Sequence, residues 1–260
     1  MLGAPLFRFK QGDHICVFYE DEDVLLDFLV PYFEEGLANG ERCFCAQTPA
    51  MVERIRTRLL LSGNVDPRAL ELHTTDEVYF STGAFAPVAL MGLLKDSIAD
   101  ARQQGFTGIR MAGEMSFAAH GLCECDQLLE YERLVEEAFP LCPALGVCQY
   151  KISAFAPEVL ESVLAAHRKS LTNTMASSNH SSLAIRKGRY VIDVVADRLT
   201  PRSQFYYVAQ EHGKRDILGW GAEHDFDAAI QEGESLLNSL QASDWAAHGT
   251  TILAEWEAID

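Results

Sequence analysis

The feature that most constrains this chain is a regular exchange of two patterns between His14 and His167. Short β-rich apolar runs alternate with longer stretches whose apolar residues recur at helical spacing. Parallel strands can be joined only through a crossover, so this alternation is the signature of a parallel sheet with helices on its faces. HICVFY (14–19) reads as a buried strand. Val24, Leu25, Phe28, Leu29, Tyr32, Phe33 and Leu37 then fall on one helix. Pro31 is expected to kink that helix or mark a turn boundary, and Gly36 and Gly40 are expected to end it. RCFCAQ (42–47) is a second buried strand. Further helices are read over 50–62, 87–104, 125–139 and 157–167, and strands over 70–74, 109–112 and 147–154. Together these predict a three-layer α/β domain with a mostly parallel sheet.

The polar run TNTMASSNHSS (172–182) marks a change of pattern. It divides the chain into a domain over 1–171, a linker over 172–182 and a second domain over 183–260. The second domain shows strands over 190–196, 204–210 and 216–220, a further one over 182–186 turning at Lys187-Gly188, and a helix over 225–240. That is a small antiparallel α+β domain with one helix. Trp245 and Trp256 imply that the tail packs. Phe205-Tyr206-Tyr207 and Trp220 alternate across the strands, which fits core packing plus a partner-facing side.

Of the 260 residues, 48% are apolar, enough for a substantial core. The net charge is -17 and no long basic block occurs, which argues against a nucleic-acid binder. No apolar run reaches the roughly 18 to 20 residues of a membrane span. The segment MLGAPLFRFKQGDH lacks the apolar centre of a signal peptide, so a cytoplasmic protein is expected. Seven cysteines, an odd number, point to reduced thiols serving mostly as small core residues. Cys43-x-Cys45 and Cys123-x-Cys125 lack the spacing of zinc knuckles.

The corner after the first strand, FYEDEDVLLDF (18–28), is where many α/β proteins hold phosphate. Here it carries Glu20, Asp21, Glu22 and Asp23, with no glycine and no lysine. No Gly-x-x-x-x-Gly-Lys-Ser/Thr motif occurs anywhere in the chain. Two unit charges about 4 Å apart interact by roughly 4 kcal/mol at an effective dielectric of 20, so several carboxylates oppose a triphosphate. Asp21 or Asp23 also suits a helix N-cap, and solvated acids at a helix start are a sufficient structural explanation. ATP hydrolysis is expected to be absent. There is no Gly-x-Ser-x-Gly elbow either, so no enzymatic activity is assigned.

Ligand-binding candidates gather where the carboxyl ends of the strands open a crevice. Tyr19, Gln47, Glu114 and the stretch after Lys151 approach that edge. Glu114 serves equally as a ligand contact or as a structural partner of Arg110. His14, Cys45 and Cys148 lie on three strands and would suit a thiophilic metal or a redox thiol if they converge. Buried strand cysteines and a capping histidine are the plainer account, so neither a metal nor a cofactor is assigned. Tyr131-Glu132 reads as helix packing, and His167 as a helix-end residue. His120 and Cys123 lie in a loop that either gates a ligand or simply connects elements.

FEEGLANGERCFCAQTP (33–49) resembles a passage of RecA-like ATPases of the circadian-clock KaiC type. A wider set of elements resembles the MEDS family of sensory domains, named for methanogens, methylotrophs and the dichloromethane regulator DcmR. They are His14 with Tyr19, Gly36-Leu37 with Gly40-Glu41, Arg110 with Gly113-Glu114-Met115, Tyr131-Glu132, Cys148 with Tyr150, and His167, spanning about residues 10 to 170. The resemblance implies a degenerate RecA-like fold that senses small organic molecules. The ligand-binding set is then His14, Tyr19, Gln47, Arg110, Glu114, Cys148 and Tyr150. It implies a regulatory association with transcription factors or histidine kinases; an anti-sigma factor is a further candidate partner, and a homo-oligomer is expected. A nucleotide-binding switch and a metal or thiol sensor are the alternatives. The part beyond residue 182 lies outside the family pattern.

Overall fold

The structure, a computed structural model, describes residues 9–62, 65–172, 180–187, 190–197, 204–211, 217–223 and 228–242. The chain divides into two compact units, Met1–Ser178 and Asn179–Asp260.

In the first unit, strands β1 (His14–Tyr19), β2 (Arg42–Gln47), β3 (Leu70–Thr74), β4 (Ile109–Glu114), β5 (Ala144–Lys151) and β6 (Lys169–Thr172) form a sheet in the order β6-β1-β5-β4-β2-β3. Every pairing among these six is parallel. Helices α1 (Glu22–Ala38) and α2 (Pro49–Ser62) pack together, as do α4 (Pro87–Gln103) with α5 (Cys125–Ala138) and α5 with α6 (Pro157–Ala166). The chain moves one way along the sheet from β1 to β3 and the other way from β3 through β6. Right-handed crossovers therefore put α1 and α2 on one face and α4 to α6 on the other. This is the expected three-layer α/β arrangement.

Local chemistry accounts for the element ends. Asp21 N-caps α1 and accepts from the Asp23 amide at 2.7 Å. Helix α1 continues through Pro31, so the expected boundary there does not form. Gly36 lies inside the helix, and Gly40, at φ 71°, makes the turn after it. A short helix, α3 (Thr75–Tyr79), was not expected from periodicity. It is held by a capping box in which Thr74 and Glu77 exchange backbone and side-chain bonds. Strand β5 begins at Ala144 and ends at Lys151, earlier than expected, and Ile152–Ala154 turns as a 3-10 helix.

The second unit holds β7 (His180–Lys187), β8 (Tyr190–Asp197), β9 (Gln204–Glu211) and β10 (Ile217–Glu223), an antiparallel meander. Residues 228–242 form a helix, α7, and a Cβ at its Gly233 would stand 2.9 Å from Ile192 of β8. The strands extend into the segment read as linker: Thr172 belongs to β6, and His180 to Ser182 belong to β7. The expected turn at Gly188 and the packing of Trp245 and Trp256 lie outside the described residues.

The α1 layer is fastened by a buried cation. Arg110 on β4 is 1% exposed and donates to Glu41 (2.6 Å), Glu35 (2.7 Å) and the Tyr32 carbonyl (2.8 Å). Its guanidinium carbon lies 4.9 Å from the centre of the Tyr32 ring. Gly36 makes room: a Cβ there would stand 2.8 Å from the Arg110 side chain. Arg110→Met leaves Glu41 buried without its cation. We expect a loss of roughly 3–5 kcal/mol in urea unfolding, and a loss below about 1 kcal/mol would mean the pair is dispensable.

Candidate functional site

Side chains on a strand alternate between the two faces of the sheet, and that parity sorts the candidate residues. Arg110 on β4 meets α1, so Glu114, four residues on, shares its face. Cys43 on β2 lies 3.6 Å from the Phe33 carbonyl of α1, so Cys45 and Gln47 point the same way. His14 on β1 and Cys148 and Tyr150 on β5 face α5 instead, as their contacts with Glu132 and Glu136 show. The seven candidate ligand residues are thus divided by the sheet. Tyr19, Gln47, Arg110 and Glu114 belong to the α1 side, and His14, Cys148 and Tyr150 to the α5 side.

On the α1 side, the strand ends close on themselves. Tyr19 donates to Glu114 at 3.2 Å, and the Ser116 amide donates to both Glu114 oxygens at 3.0 Å. Burial raises the Glu114 carboxyl above its ordinary value, although the bonds from Ser116 and Tyr19 pull the other way. Gln47 bonds Gln149. Arg110 is committed to Glu35 and Glu41, so the anticipated Arg110–Glu114 pair does not form. A strand places residues four apart roughly 13 Å from each other, too far for that contact.

The acidic corner is met by two cations and two backbone amides. Glu20 accepts from the Ser153 amide at 2.9 Å, Glu22 lies 3.8 Å from both Arg54 and Lys151, and Asp23 pairs with Arg54. The Asp21 carboxylate already occupies the first-turn amide of Asp23 that a phosphate would need.

On the α5 side, a carboxylate is buried at the centre of a cluster. Glu132 is 0% exposed and stands on the α5 stripe with Leu128 and Val135. Tyr150 donates to its Oε1. His14 Nε2 lies 3.3 Å and His167 Nε2 3.1 Å from its Oε2. Cys148 Sγ is 3.3 Å from His14 Nε2. Each imidazole is fixed from behind: His14 Nδ1 is 3.0 Å from Glu136, and His167 Nδ1 is 2.8 Å from the Val163 carbonyl. Burial opposes charge on Glu132, yet the imidazoles of His167 and His14 hold its carboxyl far below the usual range. Burial likewise opposes charge on His14, but Glu132 and Glu136 raise its pKa above the ordinary value. The Cys148 thiol is pushed up by burial first and by Glu132 second.

Cys45 does not join this cluster. It points to the opposite face, three strands from His14, roughly 14 Å at ordinary strand spacing. Its thiol is pushed up by burial. Glu132 and His167 take its place. The signal for Glu132 was present: a carboxylate at the centre of an apolar helical stripe. The signal for His167 is weak, since a histidine at a helix end needs no partner.

Beside the cluster lies a cavity of about 90 Å³ between the sheet and helices α3, α4 and α5. His14 and Cys148 form part of its wall. The rest is mostly apolar: Phe44, Ala46 and Met111 from the sheet, Tyr79 from α3, Leu90 and Leu94 from α4, and Tyr131 and Val135 from α5. Two glycines shape it. A Cβ at Gly146 would stand 2.6 Å from the Phe139 ring, and one at Gly113 would collide with the Tyr79 hydroxyl. Both aromatic rings therefore rest directly on the sheet.

Residues 13–168 match the sequence pattern of the family described as MEDS, the methanogen/methylotroph, DcmR sensory domain. No curated protein matches the chain. Among solved structures, three from Pyrococcus horikoshii are similar. A KaiC-like protein has 11% identity over 83% of this chain and 91% of its own, with a TM-score of 0.44. An uncharacterized protein solved with an unknown peptide has 12% identity over 79% and 94%, with a TM-score of 0.47. A third has 11% identity over 69% and 88%, with a TM-score of 0.46. No helix among the described residues is long and apolar enough to cross a membrane.

The buried Glu114 generates a pH prediction. Its folded pKa lies above the ordinary 4.5, so its contribution is complete below 4.5 and is lost as pH rises through the folded value. Glu114→Gln removes that loss. In urea unfolding at a series of pH values, the variant should gain stability relative to the wild type as pH rises above 4.5. A constant difference across that range would show that Glu114 ionises as freely folded as unfolded.

Proposed function

This chain belongs to the MEDS sensory-domain family, and on that footing we propose that it is a cytoplasmic receptor, without catalytic turnover, for a small and mostly apolar organic molecule. The observation that carries the reading is the cavity under α4 and α5, which combines apolar walls with the polar groups of His14 and Cys148. Binding sites for small molecules are typically apolar hollows with a few placed polar groups. The strand-end crevice is less suited, because Tyr19, Glu114, Gln47 and Gln149 bond one another there. A cavity of about 90 Å³ selects by size. A hollow of about 150 Å³ is known to admit benzene, so the part of a ligand held here is smaller than that ring. Occupancy would favour the conformation in which α3, α4 and α5 close on the sheet, and a regulatory protein or a second copy of the chain would read that bias.

Ser97 on α4 lines the cavity at a half-buried position, so Ser97→Phe fills the space with little cost to the core. Xenon and a panel of short-chain alcohols and ketones are the probes, followed by thermal unfolding and native mass spectrometry. At least one should raise the wild-type stability, by about 2.7 kcal/mol at a hundredfold excess over its Kd, and none should act on Ser97→Phe. Equal responses of the two proteins would place the ligand elsewhere. Titration with ATP and magnesium should give neither binding nor hydrolysis, and turnover would overturn the receptor reading.

A further inference from the structure

The α5-side cluster brings together four donor atoms of three chemical kinds: His14 Nε2, Glu132 Oε2, Cys148 Sγ and His167 Nε2. All lie within 4.8 Å of one another, on residues no more than 6% exposed. We propose that these four residues bind a divalent transition-metal ion of the zinc class. The inference shares His14 and Cys148 with the cavity wall, yet it survives if the cavity proves empty of ligand.

The spacing is the first support. Donors held in a tetrahedron at bonds of about 2.0–2.3 Å stand about 3.3–3.8 Å from each other. The edges His14–Glu132 and His14–Cys148 are both 3.3 Å, and His167–Glu132 is 3.1 Å.

The second support is the way two of these atoms are left. Glu132 Oε2 and His167 Nε2 approach closely, but neither makes a correctly directed hydrogen bond, and both are buried. A pair evolved only to bond each other would align the N–H with a lone pair. Two buried donor atoms left without a hydrogen-bond partner are what an ion would satisfy.

The outer contacts are the third support. Both imidazoles present Nε2 to the cluster because Nδ1 is engaged behind, by Glu136 for His14 and by the Val163 carbonyl for His167. Tyr150 holds the remaining oxygen of Glu132. Such backing fixes the tautomer and orientation of metal-binding side chains. Arg168, 2.7 Å from Glu136, compensates the outer carboxylate. The Glu132 carboxylate and a Cys148 thiolate then match the charge of a divalent ion. Nitrogen and sulfur donors favour zinc, cobalt or nickel over calcium and magnesium, which prefer oxygen.

The test uses the full chain, expressed separately in media supplemented with zinc, cobalt or nickel and purified without a metal-chelating tag. Elemental analysis should find close to one equivalent of one of these metals in the wild type and in Cys125→Ser, whose thiol is exposed. The cobalt form should show a thiolate-to-cobalt absorption band that Cys148→Ser lacks. Because Cys148→Ser alters the core, Glu136→Gln provides a second variant that leaves all four donors in place and changes only the backing of His14 and the half-exposed pairing with Arg168. It should fold and bind cobalt roughly 10- to 100-fold more weakly. Metal far below one equivalent from every medium would overturn the proposal. So would a cobalt spectrum without the thiolate band, or an affinity unchanged in Glu136→Gln.

Discussion

A carboxylate with no access to water has to be compensated by its surroundings, and Glu132 is compensated by elements distant in sequence. His14 comes from β1, Tyr150 and Cys148 from β5, and His167 from the end of α6. Isolated charge is so costly in a protein interior that losing these contacts would strand the carboxylate, and they tie α5 to the sheet. The placement of α5 in turn sets one wall of the cavity, through Tyr131 one residue away and Val135 three residues on. Stability and the shape of the candidate site therefore rest on the same side chain.

The opposite face of the sheet uses the same device with the sign reversed. There a buried cation, Arg110, is held by Glu35 and Glu41 beneath α1. Parallel strands covered on both faces leave no solvated side on which to discharge such groups. Each layer consequently carries its own closed electrostatic unit. The α5 unit borders the cavity through His14 and Cys148, so chemistry and space coincide there.

The layered α/β plan was legible because the two periodicities, two and 3.6, differ so plainly along 14–167. Among the candidate residues, the structure gathers His14, Cys148 and Tyr150 around Glu132. It places Cys45, Tyr19 and Glu114 on the other face, a separation the sequence does not show, and the reason is geometric. A strand's sequence shows alternation, but when both faces are buried it does not show which phase points to which layer. Cys43 and Cys45 look no different from Cys16 and Cys148 until α1 is placed. Glu132 was hidden for a related reason: a carboxylate on an apolar stripe reads as an imperfection in packing until its partners are known. Helix α3 is the contrary case, since Thr74 and Glu77 announced it by a local signal that periodicity overlooks.

Helix α4 is thinly secured for its length. Of its residues 87–103, only Pro87, Leu90 and Ala101 are buried, while Val88 and Leu93 stand 73% and 47% exposed. Segments with few buried side chains separate from a fold at a fraction of its global stability. The hollow beneath α4 borders solvent at Leu93, one of those exposed side chains. A loosening of α4 would widen that mouth while leaving the sheet and its two ionic anchors in place.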